Sequence, residues 1–81
     1  MIILWDEPKR LATLDERGLD MADLSIEFFE AAVVVPAKGN RYMAIGRFNG
    51  KATVVVFRPL GTEAISVISM RRASKKERDL L

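Results

Sequence analysis

Eighty-one residues make one domain, 1–81, whose core lies near the lower limit for folding without staples. No cysteine or histidine is present, which excludes a disulfide framework, a transition-metal cluster and a histidine-dependent triad, and no apolar run approaches the roughly 18–20 residues of a bilayer span. The formal charge of +2 divides unevenly: residues 1–40 hold four basic against eight acidic side chains, and residues 41–81 hold nine against three. This pattern suits either a basic half that faces a polyanion or a charged surface kept for solubility. Met1–Leu4 is apolar and rich in β-branched residues, so it predicts a short strand added to a sheet, and Asp6 and Glu7 end the apolar start before it could serve as a signal peptide or anchor. A soluble, cytoplasmic protein with no membrane association is expected. Asp6 then reads as an N-cap with Pro8 in the first turn, Leu11 and Leu14 as a narrow apolar stripe, and Gly18 as the C-cap with Leu19 folding back behind it.

Asp20 opens a second predicted helix, with Asp23 in its first turn, Leu24, Phe28 and Ala31 or Ala32 on one side, and Pro36 as its bound. The run Ala31–Val35 fits either a helix end or a buried strand, and Pro36–Asn40 reads as a mobile loop. The stretch Arg41–Arg72 predicts three antiparallel strands. Its register is set by Asn49-Gly50, because a two-residue type I′ turn needs positive φ at both central positions. Counting outward places Phe48 opposite Lys51, Ile45 opposite Val54, Met43 opposite Val56 and Arg41 opposite Arg58. With a loop at Pro59–Thr62, Val56 faces Ile65, Val54 faces Val67 and Arg58 faces Glu63. One core face would then carry Met43, Ile45, Val54, Val56, Ile65 and Val67. Ser74-Lys75-Lys76-Glu77 has the capping-box arrangement and begins a short terminal helix. The expected class is α+β, with two N-terminal helices packed on an antiparallel sheet and a short C-terminal helix.

The chemistry on offer is arginine, lysine, glutamate and hydroxyl, a set able to hold a phosphodiester and stabilise its transition state with preorganised donors. Arg58 ends a strand before Pro59. Arg71 and Arg72 lie at a strand-to-helix junction, where free N–H groups favour an anion; the alternative is a set of solvated surface charges. Glu63 is the candidate proton acceptor or arginine orienter. Arg47 and Lys51 gather with Arg71 and Arg72 toward the Asn49-Gly50 end, and Arg41 stands at the opposite edge. Trp5 fits core or rim packing better than base stacking, while Tyr42 fits either, pointing away from the expected core face.

Trp5-Asp6 with Lys9, then Leu14–Asp20, Arg41–Gly46 and Val67–Arg78 resemble the BrnT family, small ribonuclease toxins of bacterial type II toxin–antitoxin systems. The closing motif Ile68-Ser69-x-Arg71-x-Ala73-Ser74-x-x-Glu77-Arg78 is the specific part, and the likeness runs in order over nearly the whole chain. It implies a RelE-like fold and RNA cleavage without metal or cofactor. On that reading Arg58, Glu63, Arg71 and Arg72 are the expected catalytic residues, and Arg41, Tyr42, Arg47, Lys51 and Lys75 the expected RNA contacts. The resemblance also implies a BrnA-like antitoxin, expected to cover the basic sheet surface around Arg58, Arg71 and Arg72, with operator DNA reached only through that antitoxin. Two other readings stand beside it: a non-catalytic nucleic-acid-binding domain, and a module that only binds its antitoxin.

Overall fold

The computed structural model describes residues 1–81 and runs β1 (Ile2–Trp5), α1 (Glu7–Arg17), a 3-10 turn (Met21–Asp23), α2 (Ile26–Ala31), β2 (Val33–Ala37), β3 (Arg41–Phe48), β4 (Lys51–Leu60), β5 (Ala64–Arg72) and α3 (Lys75–Arg78). The strands form one sheet in the order β1-β5-β4-β3-β2. It is mixed and not purely antiparallel, because β1 lies parallel to β5, with Ile2 beside Ala64 and Trp5 beside Val67. The class is therefore α+β with a five-stranded mixed sheet and three helices.

Local chemistry sets the central hairpin as the sequence reading expects. Asn49 and Gly50 take φ of 52° and 79°, and the register Phe48↔Lys51, Ile45↔Val54, Met43↔Val56 follows. The next turn differs. β4 continues through Pro59 to Leu60, and Arg58 stands opposite Ser66, not Glu63. Pairing with β3 ends at Tyr42↔Phe57, so Pro59 occupies an edge position on that side, where a missing N–H is tolerated. A β-bulge then shifts the register between Val56↔Ser69 and Phe57↔Val67 and leaves Ile68 unpaired. Because side chains alternate along a strand, the later turn carries Ile65 and Val67 to the face of Phe57, and the bulge sets the faces of Ser69–Arg72 beyond it.

The expected single core face is thus two. On one, Leu19, Met21, Leu24 and Phe28 pack against Ala44, Val55, Phe57 and Met70, together with Ile65 and Val67. On the other, Ile45 and Val54 are covered by Ala73, with Val35, Met43 and Val56 beside them. Trp5 packs at the rim of the larger cluster, and its Nε1 donates to Glu7 Oε1 at 3.0 Å.

The helical segment facing the larger cluster is more broken than its spacing predicts. Asp20 caps the N–H of Ala22 at 2.9 Å, and Leu24 is extended at φ −69°, ψ 140°, so the second helix starts only after Ser25. Asp20 offers the backbone a local alternative to continuing helix, and Ser25 begins the next helix in extended conformation without a side-chain cap bond. Val33–Ala37 resolves as an edge strand that accommodates Pro36 opposite Tyr42. α1 has the expected caps, Asp6 accepting from Lys9 N and Gly18 at φ 66°, but it buries no side chain and Leu11 and Leu14 stay exposed. Arginines hold it: Arg10 bridges Glu7 and Asp20, and Arg17 Nη1 donates to Met70 O at 2.9 Å. No helix is long and apolar enough to cross a membrane.

Candidate functional site

At the Asn49-Gly50 end, β5 leaves the sheet and the Ala73 N–H donates to Ala52 O at 3.0 Å. That bond turns the chain into α3 beside the hairpin. The resulting recess, about 480 Å³, is lined by Arg47, Lys51, Arg72 and Arg78 over Gly50, Ala52 and Ala73. Four cations meet there with no carboxylate among the lining residues. Arg72 is oriented from beneath. Its Nη1 donates to the Oγ1 of fully buried Thr53 at 2.8 Å and to Phe48 O at 3.4 Å. Thr53 Oγ1 spends its own proton on Lys51 O at 3.0 Å, so it presents an acceptor to Arg72. One nitrogen anchors the guanidinium, and its remaining donors are left for an anion.

Arg71 does something else. It pairs bidentately with Glu77, at 2.7 and 2.8 Å, and Glu77 Oε1 also accepts from the Ser74 N–H at 2.8 Å while Ser74 Oγ accepts from the Glu77 N–H at 3.3 Å. Arg71, followed by the Ser74 N–H, holds the Glu77 carboxyl at about 2, well below the usual range; Glu77 in turn raises Arg71. The capping box uses the very N–H groups that the sequence reading offers to an anion. Arg71 and Arg72 do not act side by side either, because consecutive strand residues point to opposite faces: Arg71 stands beside Val54 and Arg72 beside Thr53.

The structure therefore brings Arg47, Lys51 and Arg72 together and leaves Arg58 and Glu63 apart from them. Arg58 is four positions along β4 from Val54, the partner of Arg71, or about 13 Å at strand spacing. Glu63 lies in the turn after β4, and neither residue makes a side-chain hydrogen bond or ion pair. Arg41 shares the Arg58 end. Tyr42 is on the helix-covered face, not away from the main core, stacked on Phe57 with ring centroids 5.8 Å apart. Lys75 is exposed on α3, outside the recess.

Arg78 is the recess residue that sequence reasoning misses. Its placement depends on Ala73 docking against Ile45 and Val54, and the only local signal is that lone apolar residue before the capping box. Arg47 also borders a cleft of about 620 Å³ with Phe28, Val33, Phe48 and Leu81 on its apolar side and Asp23 and Glu27 on its polar side, at the start of β2, where the edge of β3 beyond Ile45 is bare. No three carboxylates are placed together so that they could hold a metal ion.

Residues 5–77 match the family described as ribonuclease toxin, BrnT, of type II toxin-antitoxin system. Among solved structures the chain is similar to the 1.1 Å crystal structure of the Brucella abortus ribonuclease toxin, BrnT, with 56% identity and a TM-score of 0.85 over 93% of this chain and 99% of that one. No curated protein sequence matches it.

Proposed function

The chain belongs to the BrnT family of ribonuclease toxins of type II toxin–antitoxin systems, and from that membership we propose that it cleaves RNA without a metal ion, with the scissile phosphate held in the basic recess. The observation that carries this is the convergence of Arg47, Lys51, Arg72 and Arg78 with no lining carboxylate. In metal-free cleavage the ribose 2′-hydroxyl gives up its proton to water and its oxygen forms a new bond to phosphorus as the bond to the 5′-oxygen breaks and that oxygen takes a proton from water, leaving a 2′,3′-cyclic phosphate and a 5′-hydroxyl. Negative charge accumulates on the phosphoryl oxygens on the way. Guanidinium donors already in place stabilise that charge without reorganising. Arg72, fixed by Thr53, is the foremost transition-state donor. Lys51, Arg47 and Arg78 bind the phosphate and its neighbours, and Lys75 extends the charge outward. Arg71 supports the site by tying α3, and with it Arg78, to β5. We assign the arrangement to the RelE-like kind, pair the toxin with a BrnA-like antitoxin, and give operator DNA to that antitoxin.

The test is single-turnover cleavage of a labelled RNA by antitoxin-free protein, with and without EDTA. Arg72→Ala should lower the rate by about 10²-fold or more, the scale of losing one transition-state donor, while Lys9→Ala on α1 leaves it unchanged. Cleavage that vanishes with EDTA refutes the metal-free route. Wild-type protein that binds RNA without cutting it supports the binding-domain reading instead.

A further inference from the structure

The second sheet face is covered at one end only, where the chain turns through Ala73 toward α3. Ala73 closes over Ile45 and Val54, but at the other end Ile2, Leu4 and Leu60 are 57%, 46% and 44% exposed. The registers place them in rows. Ile2 and Leu60 flank Ala64, and Leu4 and Arg58 flank Ser66. A trough therefore runs along β5 with a floor of small side chains and walls two strand spacings apart, about 10 Å, which matches the width of a helix. Beyond Arg58 lies Arg41, one step past the Tyr42↔Phe57 pair on the same face. Like charges on adjacent strands are destabilising. Neither arginine has an ion-pair partner, and Glu63, at the trough's end, makes no salt bridge with them.

We propose that this trough is the docking site for an acidic amphipathic helix of the antitoxin, with aliphatic side chains against Ile2, Leu4 and Leu60 and carboxylates against Arg58 and Arg41. The proposal rests on the toxin–antitoxin reading above and adds the surface. Exposed aliphatic area of this kind is the mark of a protein partner, whereas a single-strand RNA reader presents aromatic rings. The uncompensated arginine pair sets the partner's sign. Because the trough and the basic recess occupy opposite ends of the sheet, partner binding and RNA cleavage should separate genetically.

The experiment uses the protein encoded by the reading frame adjacent to the toxin's own, titrated against wild type and the double variant Leu4→Glu/Leu60→Glu. Binding should weaken at least 100-fold, with RNA cleavage unchanged. Arg58→Glu should also weaken partner binding, and added salt should weaken the wild-type complex. NMR shift mapping on the unmodified toxin removes dependence on the variants' folding: Ala64 and Ser66 should move on partner addition. Equal binding by wild type and double variant, or shifts confined to the recess, overturns the trough. A wild type that ignores the partner overturns the toxin–antitoxin reading as well, which is a different result. Loss of RNA affinity in Arg58→Glu with partner binding intact assigns the face to RNA and overturns the proposal. So does a purified toxin that dimerises through this face.

Discussion

Replacing Glu77 with glutamine tests whether the Arg71–Glu77–Ser74 network holds α3 on the sheet. The carboxylate accepts from both Arg71 nitrogens and from Ser74 N, and these interactions take its pKa from 4.5 to about 2. At about 1.36 kcal/mol per unit that is an upper limit near 3 kcal/mol. Arg71 is 39% exposed, so solvent screening brings the expected loss at pH 7 to about 1–2 kcal/mol. A loss of that size lowers the melting temperature by roughly 4–15 °C in a domain of this length. Its pH dependence is the sharper signature. A carboxyl whose pKa is depressed on folding contributes stability that is fully present above about 4.5 and is lost as the pH falls toward 2. The gap between wild type and Glu77→Gln should be constant from pH 7 to about 5.5 and shrink steadily below that. Glu7, Asp20 and Glu27 are also lowered, so both proteins weaken in acid and only the difference reports on Glu77. Urea unfolding followed by Trp5 fluorescence at each pH gives the answer. A gap that persists unchanged to pH 3, or widens there, would refute the network's role.

Gly50→Ala should destabilise by about 1 kcal/mol or more purely through its φ of 79°, since a Cβ there meets nothing within 4 Å; an unchanged unfolding midpoint would remove the turn from the account. Gly46→Ala meets the opposite problem, a Cβ 3.1 Å from Phe28 Cε1 and 3.3 Å from Ala32 Cβ. Phe28 packs edge-on against both Phe29 and Phe48, so the overpacking of about 1–3 kcal/mol exceeds the roughly 0.5–1 kcal/mol that alanine gains in backbone entropy. Ala32→Gly in the same chain should restore part of the loss in urea melts. For RNA, Arg72→Ala should make the slope of log affinity against log salt shallower by about 0.7, one phosphate's share on a single strand; filter binding across a salt series that shows no change would take Arg72 off the phosphate.

What could be read from the sequence was whatever local chemistry decides. Asn49-Gly50 sets its own φ angles and hence the β3–β4 register, and Asp6, Gly18 and the Ser74–Glu77 box cap their helices with groups a few residues away. The end of β4 was not legible, because Pro59 reads as a stop until one knows that β3 gives out at Tyr42. Nor was the bulge at Ile68, which no turn residue announces, and which sets the faces of Ser69–Arg72. The site followed the same division. Counting from the turn brings Arg47, Lys51 and Arg72 to one end, but Arg71 belongs to Glu77 and Arg78 belongs to the recess only through packing of Ala73. Strand parity alone would have separated Arg71 from Arg72.

The parallel pairing of β1 with β5 has a consequence for folding. The first strand of the sheet in chain order has its only partner in the last, since Ile2 lies beside Ala64. Such distant contacts form late, after the intervening chain has been ordered. Arg72 ends that last strand, and Arg78 follows it. A chain that stops short of β5 therefore leaves β1 unpaired and lacks two of the four recess cations, so the proposed phosphate site and the sheet that carries it are completed together, at the end of the fold.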